Sequence, residues 1–130
     1  MTTVKTETKF SVVNRIKSLG HAIRGLGVFF RSTHAAWIHI ATAIVVVCLG
    51  FALKISSTEW MFIVFSCGLV LITESINTAI EIDIDLTSPE YHPFARDTKD
   101  VAAGAVLLAA ITAVIMGLII FLPKIFLLIQ

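Results

Sequence analysis

Charge is what this sequence has least of. Of its 130 residues, 15% are Asp, Glu, Lys or Arg, whereas 57% are hydrophobic, and the mean hydropathy is +0.92. A water-soluble domain of this size carries roughly 25% charged and 45–50% apolar residues, because so small a body has a large surface to keep wet. The deficit therefore excludes an ordinary soluble domain, and the apolar content excludes a disordered tail. Two cysteines are too few for a disulfide-knit secreted module. Seven glycines and three prolines without a repeat exclude a collagen-like chain. The usual phosphate-handling devices are missing as well. There is no GxxxxGK[ST] loop and no HRD or DFG set, and Gly25 and Gly27 follow no strand that would make them a dinucleotide fingerprint. What remains is a single membrane domain over residues 1–130, in which Cys48 and Cys67 lie inside apolar runs and are expected to pack as small hydrophobes.

A hydrocarbon core about 30 Å thick takes roughly 20 apolar residues at 1.5 Å each. Three runs have that length: Ala35–Leu53, Trp60–Ile80 and Val101–Leu122, the last closed by Pro123 and Lys124. The first begins too far along the chain for a cleaved signal peptide, so the segment before it is expected to belong to the mature protein. In that segment Val12, Ile16, Leu19, Ile23, Leu26 and Phe30 recur at spacings of four and three. Such spacing predicts an amphipathic helix over about 9–31, lying on the membrane surface with its basic residues towards anionic headgroups. A cytosolic helix packed on a partner is the alternative. Six of the ten Lys and Arg residues (Lys5, Lys9, Arg15, Lys17, Arg24 and Arg31) precede the first run. That bias places the N-terminus in the cytoplasm, and three crossings then bring 82–100 back to the cytoplasm as a polar loop.

The second run is interrupted by Glu74. A carboxylate inside hydrocarbon costs roughly 3 kcal/mol on insertion scales, so such residues are usually paired or functional. Asn77, Thr78, Glu81 and Asp85 follow it at steps of 3, 4, 7 and 11. At about 100° per residue all fall within roughly 60° of Glu74 and form one stripe. Aligned carboxylates repel unless cations intervene, and hard cations such as Mg²⁺ prefer oxygen ligands and accompany phosphate. A metal and phosphate site is one reading, and a polar seam pairing two helices is the other.

In the segment that follows, prolines at both ends argue against a plain helical hairpin. Lys99 can meet phosphate as a point charge, Asp100 can take a metal or a ribose hydroxyl, and Tyr91 or His92 can contact a base. Alternatively, Lys99 and Asp100 cap the third span.

Glu74-Ser-Ile-Asn77-Thr-Ala-Ile-Glu81-Ile-Asp-Ile-Asp85, then Ser88-Pro-Glu-Tyr-His-Pro93 and Lys99-Asp100-Val-Ala-Ala-Gly-Ala-Val, closely resembles the small prokaryotic diacylglycerol kinase family, which includes undecaprenol kinases. The resemblance spans about residues 10–125. It implies an all-α integral membrane fold of one surface helix and three transmembrane helices, assembled as a homotrimer in the bacterial inner membrane. It also implies transfer of the γ-phosphoryl group of ATP to the hydroxyl of diacylglycerol or undecaprenol. Carried over position by position, it makes Glu74 the catalytic base and Glu81 the ligand of a divalent metal, Mg²⁺ or another. Asn77 and Asp85 would support nucleotide and metal, and Glu90, Tyr91 and His92 would lie near the nucleoside. Lys99 and Asp100 would hold phosphate and ribose, with Arg15 and His21 matching nucleotide-contacting positions more loosely. The short motif Ser88–Pro93 and the ending Leu122-Pro123-Lys124 look more like the undecaprenol kinases.

At one point the pattern is broken. Relatives usually read E-x-N-[AF]-[WR]-I-H on entering the first span, with that Glu sharing the metal. Here the stretch is Thr33-His34-Ala35-Ala36-Trp37-Ile38-His39, with Thr33 in place of the acid. This raises the alternative of a catalytically impaired or non-catalytic membrane oligomer that binds a nucleotide or cation.

Overall fold

The computed structural model describes residues 11–130, and the described chain folds into four helices and no strand. Helix α1 spans Val12–Ser32, α2 His34–Ala52, α3 Ser57–Thr87 and α4 Pro93–Ile129. Lys5 and the first two residues of the helix expected from 9, Lys9 and Phe10, lie outside the described residues. Three of the helices, α2, α3 and α4, are long and apolar enough to cross a membrane.

The connections are short, and local chemistry sets each one. Thr33 alone separates α1 from α2, in extended conformation (φ −131°, ψ 133°), and its side chain caps α2 by accepting from the Ala35 amide at 3.1 Å. After α2, the Lys54 amide donates to the Phe51 carbonyl (3.2 Å) and the Ile55 amide to the Gly50 carbonyl (3.1 Å). These are the two bonds of a Schellman closure, which needs a left-handed residue; Lys54 supplies it at φ 50° where glycine would be the easier choice. Ile55, buried by that closure, and Trp60 press against Gly50. A Cβ added there would lie 2.8 Å from Trp60 Cη2, so only glycine lets the turn fold back. A capping box starts α3: the Ser56 hydroxyl accepts from the Glu59 amide (3.3 Å), and the Ser56 amide donates to Glu59 Oε2 (2.6 Å).

The expected 82–100 loop is mostly helix. Helix α3 continues to Thr87 and α4 begins at Pro93, leaving Ser88 to His92 as the turn. The prolines delimit a helical hairpin instead of preventing one. Pro93 occupies the first helical position, where its missing donor and fixed φ cost nothing, and the His92 ring caps the helix by accepting from the Phe94 amide at Nδ1 (3.3 Å). Lys99 and Asp100 therefore lie inside α4 and do not cap it. At the far end α4 runs through Pro123 to Ile129. One proline removes one backbone bond, and Lys124 is tied across to Glu59 of α3 at 3.1 Å.

The hairpin of α3 and α4 is the backbone of the molecule, α2 packs antiparallel along α3, and α1 touches both α2 and α3 at its C-terminal end. A buried cluster of Ile55, Ile63, Ile120 and Phe121 closes the end of the bundle near Lys54, with Cys67 packed against it. Cys48, expected to pack, is exposed. At the opposite end Phe29 and Ala36 are buried where α1 meets α2. There the Trp37 indole donates to the Phe30 carbonyl at 2.9 Å and its ring lies 5.9 Å from that of Phe30.

Lengths separate the helices into two groups. At 1.5 Å per residue α2, with 19 residues, is about 28 Å long, whereas α3, with 31, is about 46 Å. Because α2 starts beside Glu74 and ends beside Ser56, the upper part of α3 rises about 20 Å past the end of α2. The stripe expected inside the second span thus begins level with the N-terminus of α2.

Candidate functional site

Glu74 is 5% exposed, and Asn77 and Thr78 are buried with it. All three lie on the face of α3 that also buries Ile63, Ser66 and Val70, so the side of α3 that faces its neighbours changes from apolar to polar along its length. Above them Glu81 is half-buried and Asp85 exposed. The stripe is therefore graded from a dry carboxylate to wet ones, over about 16 Å from Glu74 to Asp85.

Each member has a partner. The Thr33 hydroxyl donates to Glu74 Oε1 at 3.4 Å, and the Thr78 hydroxyl donates to the Glu74 backbone carbonyl at 2.9 Å. Asn77 Nδ2 donates to Glu81 Oε1 at 3.1 Å, while Asn77 Oδ1 is buried without a partner. Lys99 reaches from α4 to Asp85 Oδ1 at 2.8 Å. Next to it Arg96 meets Asp100 at 3.5 Å, an i,i+4 pair on α4.

The helical turn brings six of the expected residues together. Asp85, Glu90, Tyr91, His92, Lys99 and Asp100 line one open cleft of about 360 Å³ between the tips of α3 and α4. His21 lies in a second cleft of about 340 Å³ between α1 and α3, with Arg24, Ser75 and Thr78. Arg15, exposed in the first turn of α1, lines neither cleft. A third opening, about 560 Å³, runs between α3 and α4 past Thr73, Asn77, Asp97 and Thr98.

A fully protein-built metal cage is not present among the described residues, where no three His, Cys, Asp or Glu side chains gather. Mg²⁺ is usually bound by one or two carboxylates together with substrate phosphates. Glu81, half-buried and held at one oxygen by the Asn77 amide, suits a cation that arrives already carried by phosphate.

One contact of this region, that of Thr33 with Glu74, is not readable from the sequence. Thr33 reads there as a missing acid, although a threonine before an apolar run is also a helix N-cap signal.

Comparison with known proteins supports one assignment. Residues 20–121 match the family model described as prokaryotic diacylglycerol kinase. The chain belongs to the prokaryotic diacylglycerol kinase family. Among its relatives, the undecaprenol kinase of Bacillus subtilis is 43% identical over 108 residues, covering 83% of this chain and 88% of that protein. The diacylglycerol kinase of Escherichia coli K12 is 31% identical over 114 residues, covering 80% of this chain and 91% of that one. The diacylglycerol kinase of Synechocystis is 38% identical over 111 residues, covering 85% of this chain and 63% of its own length. The relatives are thus named for phosphorylating two different lipids, and the Glu74 stripe, the Asp85–Lys99 pair and the Ser88–His92 turn all fall within the matched residues of this membrane-spanning member of the family.

Proposed function

We propose that the protein transfers the γ-phosphoryl group of ATP to the hydroxyl of a membrane lipid. The observation that carries this reading is the graded stripe on α3: a buried carboxylate level with the start of α2, then the hydrogen-bonded Asn77 and Glu81, then an exposed Asp85 paired with Lys99. A lipid headgroup arrives laterally at the membrane edge and a nucleotide arrives from water, and the stripe spans the distance between them. The 28 Å length of α2 supports a membrane edge at Glu74, since it matches the thickness of a hydrocarbon core.

In this reading MgATP is the substrate. Lys99 leaves Asp85 for phosphate, an inexpensive exchange because both groups are largely exposed. Asp100 and Asp85 take ribose and cation, Glu90, Tyr91 and His92 flank the nucleoside, and Arg15 and His21 approach from α1. Glu81 and Asn77 hold the cation on the phosphates, where it neutralises the charge that accumulates on the transferred group. Glu74 accepts the proton of the lipid hydroxyl while that oxygen bonds to the γ-phosphorus, and the bond to the β-phosphate oxygen breaks to release ADP. Phosphoryl transfer requires positioning and charge neutralisation more than covalent participation by the protein, so a site of this composition suffices.

The same reading places the N-terminus and the hairpin tip in the cytoplasm. The early Lys and Arg residues support this by the positive-inside bias, and ATP is found on that side of a bacterial inner membrane. Helix α1 lies along the membrane surface, supported by the exposure of Val12, Ile16, Leu19, Ile23 and Leu26, each 55–67% open in the isolated chain. The homotrimer is the assembly implied by the family resemblance. Undecaprenol is the acceptor favoured by the 43% identity to an undecaprenol kinase. In vesicles supplied with MgATP and either lipid, the purified chain is expected to phosphorylate undecaprenol at a higher kcat/KM than diacylglycerol. Equal rates, or a preference for diacylglycerol, would reverse the acceptor assignment.

A further inference from the structure

We infer that Thr33 is a positioning residue for Glu74, holding one carboxylate oxygen so that the other faces the incoming hydroxyl. The inference rests on the lipid-kinase reading for its consequence, though not for the contact itself. Thr33 and Glu74 are 41 residues apart in sequence, and the pairing of α2 with α3 brings the hydroxyl of one to 3.4 Å from Oε1 of the other. A hydroxyl has one proton to donate and two lone pairs. Thr33 uses a lone pair to accept from the Ala35 amide at 3.1 Å, which orients the hydroxyl and leaves its proton for Glu74.

The contact is braced from both sides. Thr33 is the single residue between α1 and α2, and the Trp37 indole bonded to the Phe30 carbonyl at 2.9 Å ties the two helices across it. Ala36, one turn into α2, is fully buried. On the other side the Glu74 backbone carbonyl takes the Thr78 hydroxyl. A buried carboxylate with one oxygen fixed in this way presents the second in a defined direction, and proton transfer depends on such alignment. An acid at position 33 would do the reverse, since a carboxylate has no hydroxyl proton to donate and sets a second negative charge against Glu74. The residue that reads as a gap in the family pattern is a hydrogen-bond donor to the base.

Three variants separate positioning from capping. Thr33→Ser keeps both bonds, Thr33→Val keeps neither, and Thr33→Asp keeps the cap but has no proton to give Glu74. In full-length protein in vesicles, Thr33→Ser is expected to stay within twofold of the wild-type kcat. Thr33→Asp is expected to lose at least tenfold in kcat, with KM for MgATP changed less than twofold and a melting temperature lowered by the second negative charge against buried Glu74. Thr33→Val is expected to lose both kcat and melting temperature. The contact has a readout that needs no turnover: the infrared carboxylate stretch assigned by its loss in Glu74→Gln should shift in Thr33→Val and return in Thr33→Ser. A Thr33→Asp protein as fast as wild type, or faster, would overturn the inference by making the position a place for an acid. An unshifted carboxylate band in Thr33→Val would overturn it as well. Wild-type protein that phosphorylates no lipid would instead overturn the kinase reading, and the band would still decide the contact.

Discussion

Glu74→Gln is expected to lower kcat by about 10²–10⁴-fold, the usual contribution of a positioned general base, without loosening the fold. The substitution is nearly isosteric. The amide oxygen can still accept from the Thr33 hydroxyl, so the link between α2 and α3 at that level survives. Glu74 is 5% exposed, and a neutral amide is less costly to bury than a carboxylate, so the melting temperature should stay the same or rise. What the amide cannot do is take a proton. The loss should therefore appear in kcat with KM for MgATP little changed, because the nucleotide is held higher on the stripe. Initial rates at saturating lipid, measured beside thermal unfolding in detergent, separate the two effects. A fall in melting temperature matching the fall in rate would make Glu74 a structural residue.

Lys99→Met is expected to have the second largest effect, about 10²-fold in kcat/KM, comparable to removing one charge-stabilising donor from a transition state. In the resting chain Lys99 is paired with Asp85 at 2.8 Å, with side-chain exposures of 37% and 69%. Surface pairs of this kind contribute little to stability, so methionine should leave stability nearly unchanged while its apolar stem keeps the packing of the long chain. The charge that steadies the phosphates is then missing, and both KM for MgATP and kcat should suffer. Lys99→Arg should recover only part of the loss, because a planar fork does not replace a point charge in the same place. Steady-state kinetics over a range of MgATP concentrations would show this, and an unaltered kcat/KM in Lys99→Met would remove Lys99 from the site.

Much of the architecture was legible in the sequence because hydropathy and helical spacing report directly on which faces avoid water. The three apolar runs match three membrane-length helices, and the steps of 3, 4, 7 and 11 place Glu74, Asn77, Thr78, Glu81 and Asp85 on one helix, the first three buried, Glu81 half-buried and Asp85 exposed. The extent of the helices was not legible. Residues 82–87 and 93–100 hold Asp83, Asp85, Arg96, Asp97, Lys99 and Asp100 among their apolar residues, and charge marks exposure to water, not the backbone conformation, so a protruding helical hairpin looks like a loop. Pro93 was read as a barrier where it begins a helix, and Pro123 as an end where it is a single missing bond.

Thr33 shows a different limit. Its partner is 41 positions away, and nothing local to either residue announces the contact. Only the antiparallel pairing of α2 with α3 makes it visible. The same holds for the partnerless buried Ser66 Oγ and Asn77 Oδ1, whose isolation depends on what surrounds them in space. A family pattern marks position 33 as unusual, whereas its chemical meaning comes from the geometry.

The central claim is that a phosphoryl group passes from the water-side cleft to a lipid hydroxyl at Glu74. Reconstituted vesicles containing undecaprenol and diacylglycerol, supplied in parallel with ATP labelled at the γ- or the α-phosphorus, test it by a count of label in the extracted lipid. The expected result is lipid label from γ-labelled ATP alone, equal in amount to the ADP released and lost in Glu74→Gln. ADP release with no label in the lipid, or the same label with Glu74→Gln as with wild type, would contradict it.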